Sequence, residues 1–442
     1  MTSFFKGAFL LVAVAFMGEC IEFFINMVLA NQLGESGLGL YMSILPVIFL
    51  VVVLASMELP ISISKFVAEK DEKYHRSMLK HVIRFTVYFT LSLIGLSVII
   101  LPLIPVFRNY NPYIRGLIVM LIPIISFSSI ARGYFMGIQH MGKIAAANFL
   151  RKSIQLILLI AVYHYFHFNL EVSIFIAICT IVGSDFIVLL YWIHTFILQS
   201  RDIRKRDSVF LSGKTVRKSL MSVSLTTTGM RMFNAFSEAF QPFLIKAALV
   251  KAGFTADLAN EHFGMLAGVA FTIGFFPAFI AHSLSTVLIP TVSEAYSQRE
   301  LPKLQKLLQQ VMLITIGYGV PAVIIFNVFS EPLTRLFFHT TSAAQYLELL
   351  WPFFLFHFFI SPMQAILIGI GMVKDVFLHF VWATIVTFLM SYLLGSSPFF
   401  QMSGIIIGMN TGALLILLLH YLTICKKIGI SLGLRKPANH TF

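Results

Sequence analysis

Residues 38–57, LGLYMSILPVIFLVVVLASM, run for twenty positions without a charged side chain. Wound as an α-helix, such a run is about 30 Å long, which is the thickness of the hydrocarbon core of a bilayer. The pattern repeats outward from this stretch in both directions. Apolar runs bounded by charge or turn clusters place spans at 7–31, 38–65, 82–106, 116–137, 146–167 and 172–198, then at 219–248, 262–293, 307–330, 344–371, 375–394 and 402–424. Gly34-Glu35-Ser36-Gly37 and Asn111-Pro112 are the clearest breakers between them. The 442 residues are 58% hydrophobic and only 12% charged, where a soluble domain carries about 25% charged. The expected fold class is therefore all-α, a polytopic membrane protein with no room for a large soluble catalytic domain.

Lys6 ahead of an apolar stretch imitates a secretory signal, but the run continues past Glu19 and Glu22 without a small-residue cleavage site. It reads as a retained first span. The net charge of +13 is gathered in short clusters between apolar runs, as cytoplasmic loops require, and does not call for nucleic acid. With the N-terminus inside, most of the 32 Lys and Arg residues fall on one side, so both termini are expected to be cytoplasmic and the chain multi-pass in the cell membrane. Cys20, Cys179 and Cys425 are too dispersed for a disulfide framework or a zinc site.

The most basic segment, Arg201 to Lys218, divides the spans into two sets of six. We expect an N-terminal six-helix lobe at 1–198, a basic cytoplasmic linker at 199–218, a C-terminal six-helix lobe at 219–425 and a cytoplasmic tail at 426–442. An echo supports duplication: Leu59-Pro60-Ile61-Ser62-Ile63-Ser64 ends the second span and Ile289-Pro290-Thr291-Val292-Ser293 ends the eighth. Residues 300–308, with Leu301, Leu304 and Leu308 on one face, fit either an amphipathic surface helix or the charged start of the ninth span.

Ionisable groups at bilayer depth cost about 2.5–3.5 kcal/mol each even on the lenient insertion scale, so each needs a wet cavity or a partner. Glu19, Glu22 and Asn26 share one face of the first span by their spacing. Glu58 lies in the second span, Arg132 in the fourth, Asp185 in the sixth, and Arg231 and Glu238 on one face of the seventh. Taken singly, such a residue can be a packing ion pair. Because spans one and seven are equivalent first helices of two halves, their polar stripes point instead to cavity lining. Arg231, Glu238, Asn26, Arg132 and Asp185 are the candidate substrate residues. Glu19, Glu22 and Glu58 are candidates for a coupling H⁺ or Na⁺. His282, His357 with Ser361 and Gln364, and Asn410 are weaker candidates.

Gly133-x-x-x-Gly137 and Gly404-x-x-x-Gly408-x-x-x-Gly412 permit close helix approach. Ser212-Gly213-Lys214-Thr215 ends like a phosphate-binding loop but lacks its upstream glycine and its strand. No hydrolase or metalloprotease motif is present. No cofactor is expected.

The stretches Asn31 to Tyr41, Leu59 to Glu69, Arg132 to Gln139 and Ile289 to Ala295 resemble the stage V sporulation protein B family. That family is a polysaccharide-biosynthesis branch of the multidrug/oligosaccharidyl-lipid/polysaccharide exporter (MOP) superfamily. The length resembles its shorter sporulation members. The resemblance implies two six-helix lobes of MATE-like fold, alternating access, and a lipid-linked saccharide or other amphipathic small molecule as cargo, handled by a monomer within membrane lipid. One departure stands out. Where the family's flippases lead one to expect arginines in the first span, this chain has Glu19 and Asn26, and Glu58 stands in place of a small residue. Phosphate is recognised by Arg and Lys, so five carboxylates against two arginines raise a second reading, a cation-coupled exporter of organic cations. A membrane-embedded transferase lacks any catalytic constellation here, and a transporter fold kept as a structural partner is the remaining reading.

Overall fold

The computed structural model describes residues 2–104, 107, 110–204, 209 and 213–429, and side chains from residue 15 onward except 200–208 and 210–228. All regular elements among them are helical. In chain order these are α1 (Thr2–Ser56), α2 (Leu59–Glu69), α3 (His75–Ile100), α4 (Tyr113–Gly137), α5 (Met141–Tyr165), α6 (Leu170–Arg204) and α7 (Gly213–Lys251). They continue as α8 (Ala256–Gly264), a π-helical segment (Met265–Ala270), α9 (Phe271–Gly274), α10 (Ala278–Ser297), α11 (Leu301–Val328), α12 (Ser330–Phe338), α13 (Ala344–Leu349), α14 (Trp351–Gly369), α15 (Val373–Gly395) and α16 (Gln401–Ile428).

Nine helices of the described residues are long and apolar enough to cross a membrane, and ten when α8–α9 and α10, bent by 61°, are taken as one span. The Gly34-containing turn works as expected from its residues. Gly34 has φ +65° and joins two helices within α1, a conformation only glycine adopts without strain. Residues 301–308, capped by Glu300, belong to the continuous helix α11 and not to a separate surface helix, with Leu304 and Leu308 buried. At the expected linker, α6 runs on through Arg204 and α7 begins at Gly213. The side chains of Lys6 and of the basic cluster Arg201 to Lys218, and the tail from residue 430, lie outside the described residues.

Two compact units emerge, residues 43–240 and residues 1–42 with 241–442. They differ from the sequential lobes 1–198 and 219–425 because α1 as far as Met42 packs with second-half helices, while α7 up to Phe240 belongs with the first half. In the unit 43–240, α4 packs against α2, α3 and α6. Gly133 and Gly137 make this possible: a Cβ on Gly133 would lie 2.8 Å from the Pro60 Cα, and one on Gly137 2.6 Å from the Val67 Cβ. Phe135 stacks on Trp192 at 5.6 Å, closing a core that includes Ile63, Phe66 and Met78.

The other unit repeats this device. Gly369 at the end of α14 sits against α10, with a Cβ there 2.8 Å from the Val292 Cβ and 3.0 Å from the Ile289 carbonyl. Both fourth-span helices end alike. After α4, His140 N–H donates to Phe135 O and Gln139 N–H to Met136 O; after α14, Met372 N–H donates to Leu367 O and Gly371 N–H to Ile368 O. These are Schellman caps, with Gln139 at φ 59° and Gly371 at φ 84°. The Pro-containing echo read from the sequence thus marks matching helix pairs, α2 with α4 and α10 with α14. Gly404, Gly408 and Gly412 seat α16 on Leu394, Ser391 and Thr387 of α15.

Candidate functional site

In the unit that contains residues 1–42, Glu19, Glu22, Phe23 and Asn26 line a cavity of about 200 Å³ together with Ala267, Phe271, Thr272, Phe275 and Phe276. The helical spacing on α1 delivers the first four side chains to one face, as expected. Asn26 Nδ2 donates to Thr272 Oγ1 at 3.2 Å, and Thr272 Oγ1 donates to the Gly268 carbonyl at 2.7 Å. Phe23 meets Phe276 edge-to-face at 5.5 Å. The sequence reading missed the aromatic wall and Thr272, which come from the segment around the π-helical turn. Two carboxylates beside phenyl faces suit a cation, whether inorganic or quaternary. Among the described residues no group of three His, Cys, Asp or Glu is arranged to hold a metal ion.

A second charged site lies in the unit 43–240. The chain breaks between α1 and α2 at Met57 and Glu58, both left-handed at φ 45° and 52°. Glu58 is 1% exposed, and its Oε1 lies 2.5 Å from Nη1 of Arg231, whose side chain is 53% exposed. The contact is an ion pair without hydrogen-bond alignment, and among the described residues neither carboxylate oxygen of Glu58 accepts a hydrogen bond. Arg132 is exposed and lies within electrostatic reach of Arg231, Arg151 and Glu58. Asp185, 9% exposed, is within reach of Arg151. Three guanidinium groups against two carboxylates leave this cluster net cationic. Arg151 lies ten residues into α5, but its place near the start of the expected span 146–167 gave no signal of a site role.

Glu58 is thus placed with Arg231 in the unit 43–240, whereas Glu19 and Glu22, with which sequence reading had grouped it, line the cavity of the other. Glu238 is exposed on α7 and joins neither cluster. His357 is satisfied by the Phe353 carbonyl at 3.0 Å. Ser361 contacts Ser285 at 3.0 Å, and Asn410 donates to the Leu349 carbonyl at 3.2 Å. His282 is exposed. The contacts of His357, Ser361 and Asn410 are ones that hold helices together. The three cysteines are free.

Residues 4–296 match the family model described as polysaccharide biosynthesis protein, which covers more than half of the chain. The chain belongs to this family. Residues 265–393 also match the MatE model. Sporulation protein YkvU of Bacillus subtilis (strain 168) is 52% identical over 99% of both chains. Stage V sporulation protein B of the same organism is 30% identical over 99% of this chain and 86% of its own. A solved multidrug resistance MATE family transporter of the MOP superfamily, in an inward-facing conformation, covers 98% of this chain and 100% of its own with a TM-score of 0.74 at 18% identity. This polysaccharide biosynthesis family member therefore has the MATE-like fold and is a multi-pass membrane transporter of the MOP type, not an enzyme.

Proposed function

We propose that the protein is a flippase for a lipid-linked saccharide or related envelope precursor, working by alternating access in the cytoplasmic membrane of a spore-forming bacterium. The observation that carries this reading is the cationic cluster of Arg231, Arg132 and Arg151. Arg231 keeps a half-exposed guanidinium at bilayer depth, where a charge without a task is costly, and guanidinium is the group that matches phosphate oxygens. Family membership and the names of the two sporulation relatives support the cargo class and its setting. Glu19 and Glu22 are the proposed coupling site for H⁺ or Na⁺, and the protein acts as a monomer with its termini cytoplasmic. The test is translocation of a fluorescent undecaprenyl-diphosphate saccharide in liposomes that hold the purified protein. Transport by the unaltered chain, lost in Arg231→Ala that is still expressed and folded, supports the reading; no transport of any lipid-linked sugar by an active reconstitution overturns it.

The acidic, phenyl-walled cavity favours a second reading, export of organic cations. Tetraphenylphosphonium flux that requires Glu22, with no flux of the saccharide lipid, would decide for it.

A further inference from the structure

Glu58 combines three features that a packing residue does not need together. It is sealed from solvent, it occupies a left-handed backbone position beside a second one at Met57, and the one cation in direct contact with it among the described residues is a guanidinium that is itself half exposed. We infer that Glu58 is a built-in counter-anion, displaced from Arg231 by the phosphate of an anionic lipid cargo, and that this displacement moves the break between α1 and α2. The inference rests on the flippase reading above and adds to it the step that links binding to conformation.

The argument is one of charge balance. Phosphate and carboxylate compete for the same guanidinium donors, and phosphate brings the greater charge and more acceptor oxygens. Arg132 and Arg151 add positive field from the same unit, which favours the more highly charged anion. Once Arg231 turns to phosphate, Glu58 cannot stay where it is. An ionised carboxylate that is 1% exposed and accepts no hydrogen bond from the described residues would keep only the more distant Arg132 as a countercharge. Its backbone must carry it toward water. The same residue starts α2: the Glu58 carbonyl accepts from the N–H groups of Ile61 at 3.1 Å and Ser62 at 3.2 Å. Pro60 at the helix start has no N–H to give. Movement of Glu58 therefore opens the first turn of α2, which is the turn that faces Gly133 of α4.

The experiment uses the full chain in detergent, with farnesyl diphosphate as probe and farnesol as the uncharged control. Glu58→Gln should bind the diphosphate about tenfold more tightly, since the competing charge is gone, and Arg231→Gln should abolish the preference for diphosphate over farnesol. In the unaltered protein, farnesyl diphosphate should speed hydrogen exchange at the Ile61 and Ser62 amides, which serves as an independent readout where Glu58→Gln does not fold. Unchanged or weaker binding by Glu58→Gln, with Arg231 still required, overturns the inference and leaves the anionic-cargo reading standing. Unchanged or slower exchange at Ile61 and Ser62 also overturns it. Equal binding of farnesol and farnesyl diphosphate by the unaltered protein overturns both.

Discussion

A single charge at bilayer depth is the most legible signal in a chain of this kind, because the surrounding apolar run offers nothing to excuse it. Glu58, Arg132, Arg231 and Asp185 were all visible in that way. What the sequence did not convey was the pairing, since Glu58 and Arg231 meet only through the fold, and Arg151 was hidden by its place near a cytoplasmic boundary. The pairing predicts an asymmetric mutational pattern. Arg231→Gln leaves a buried carboxylate behind, a change that costs about 3–5 kcal/mol when both partners are fully buried and less here because Arg231 is half exposed. Thermal unfolding in detergent should show Arg231→Gln destabilised and the double variant Glu58→Gln/Arg231→Gln recovering most of the loss. A double variant no more stable than Arg231→Gln alone would contradict the pair.

Among the elements, two glycines separate the two reasons for that residue type. Gly133 has ordinary helical backbone but no room, since an added Cβ would press on the Pro60 and Ile63 atoms of α2. Gly371 has open space around its Cβ position but φ +84°. Gly133→Ala should lower stability by about 1–3 kcal/mol through overpacking, and Gly371→Ala by about 1–2 kcal/mol through backbone strain. The distinction is checked with Gly371→Asn, which tolerates the left-handed region better and should lose less than Gly371→Ala. Gly133→Asn should lose more than Gly133→Ala. The long helices were readable from apolar length, whereas α12, nine residues from Ser330 to Phe338, is too short for periodicity to stand out against the neighbouring runs. The same limit made 300–308 ambiguous until α11 was seen to be continuous.

For the molecule as a whole, alternating access requires that something bind the two arrangements unequally. Glu19 and Glu22, in a cavity walled by Phe271, Phe275 and Phe276, are placed to bind a cation whose occupancy provides such a bias. Reconstituted transport should depend on an imposed proton or Na⁺ gradient, and Glu22→Gln should remove that dependence while leaving downhill flipping measurable. Gradient-independent transport by the unaltered protein would exclude coupling at this site. The duplicated plan was legible because Pro60 and Pro290 recur with their flanking residues. The compact units were not, because which helix α1 packs against is set by side chains such as Asn26 and Thr272 that carry no long-range signature in the sequence.

The π-helical turn at Met265–Ala270 holds one more residue than an α-helical path of the same length would. It can be regarded as a tolerated insertion whose effect is rotational: every side chain that follows is turned by about 100° relative to the uninterrupted helix. Excision of one residue, such as Val269, would let the segment relax into an ordinary helix with its backbone hydrogen bonds intact. Thr272 and Phe275 would then swing off the face that meets Asn26, and the protein would have lost the wall of its acidic cavity. Function here would depend on a surplus residue, and on the angular offset that it preserves.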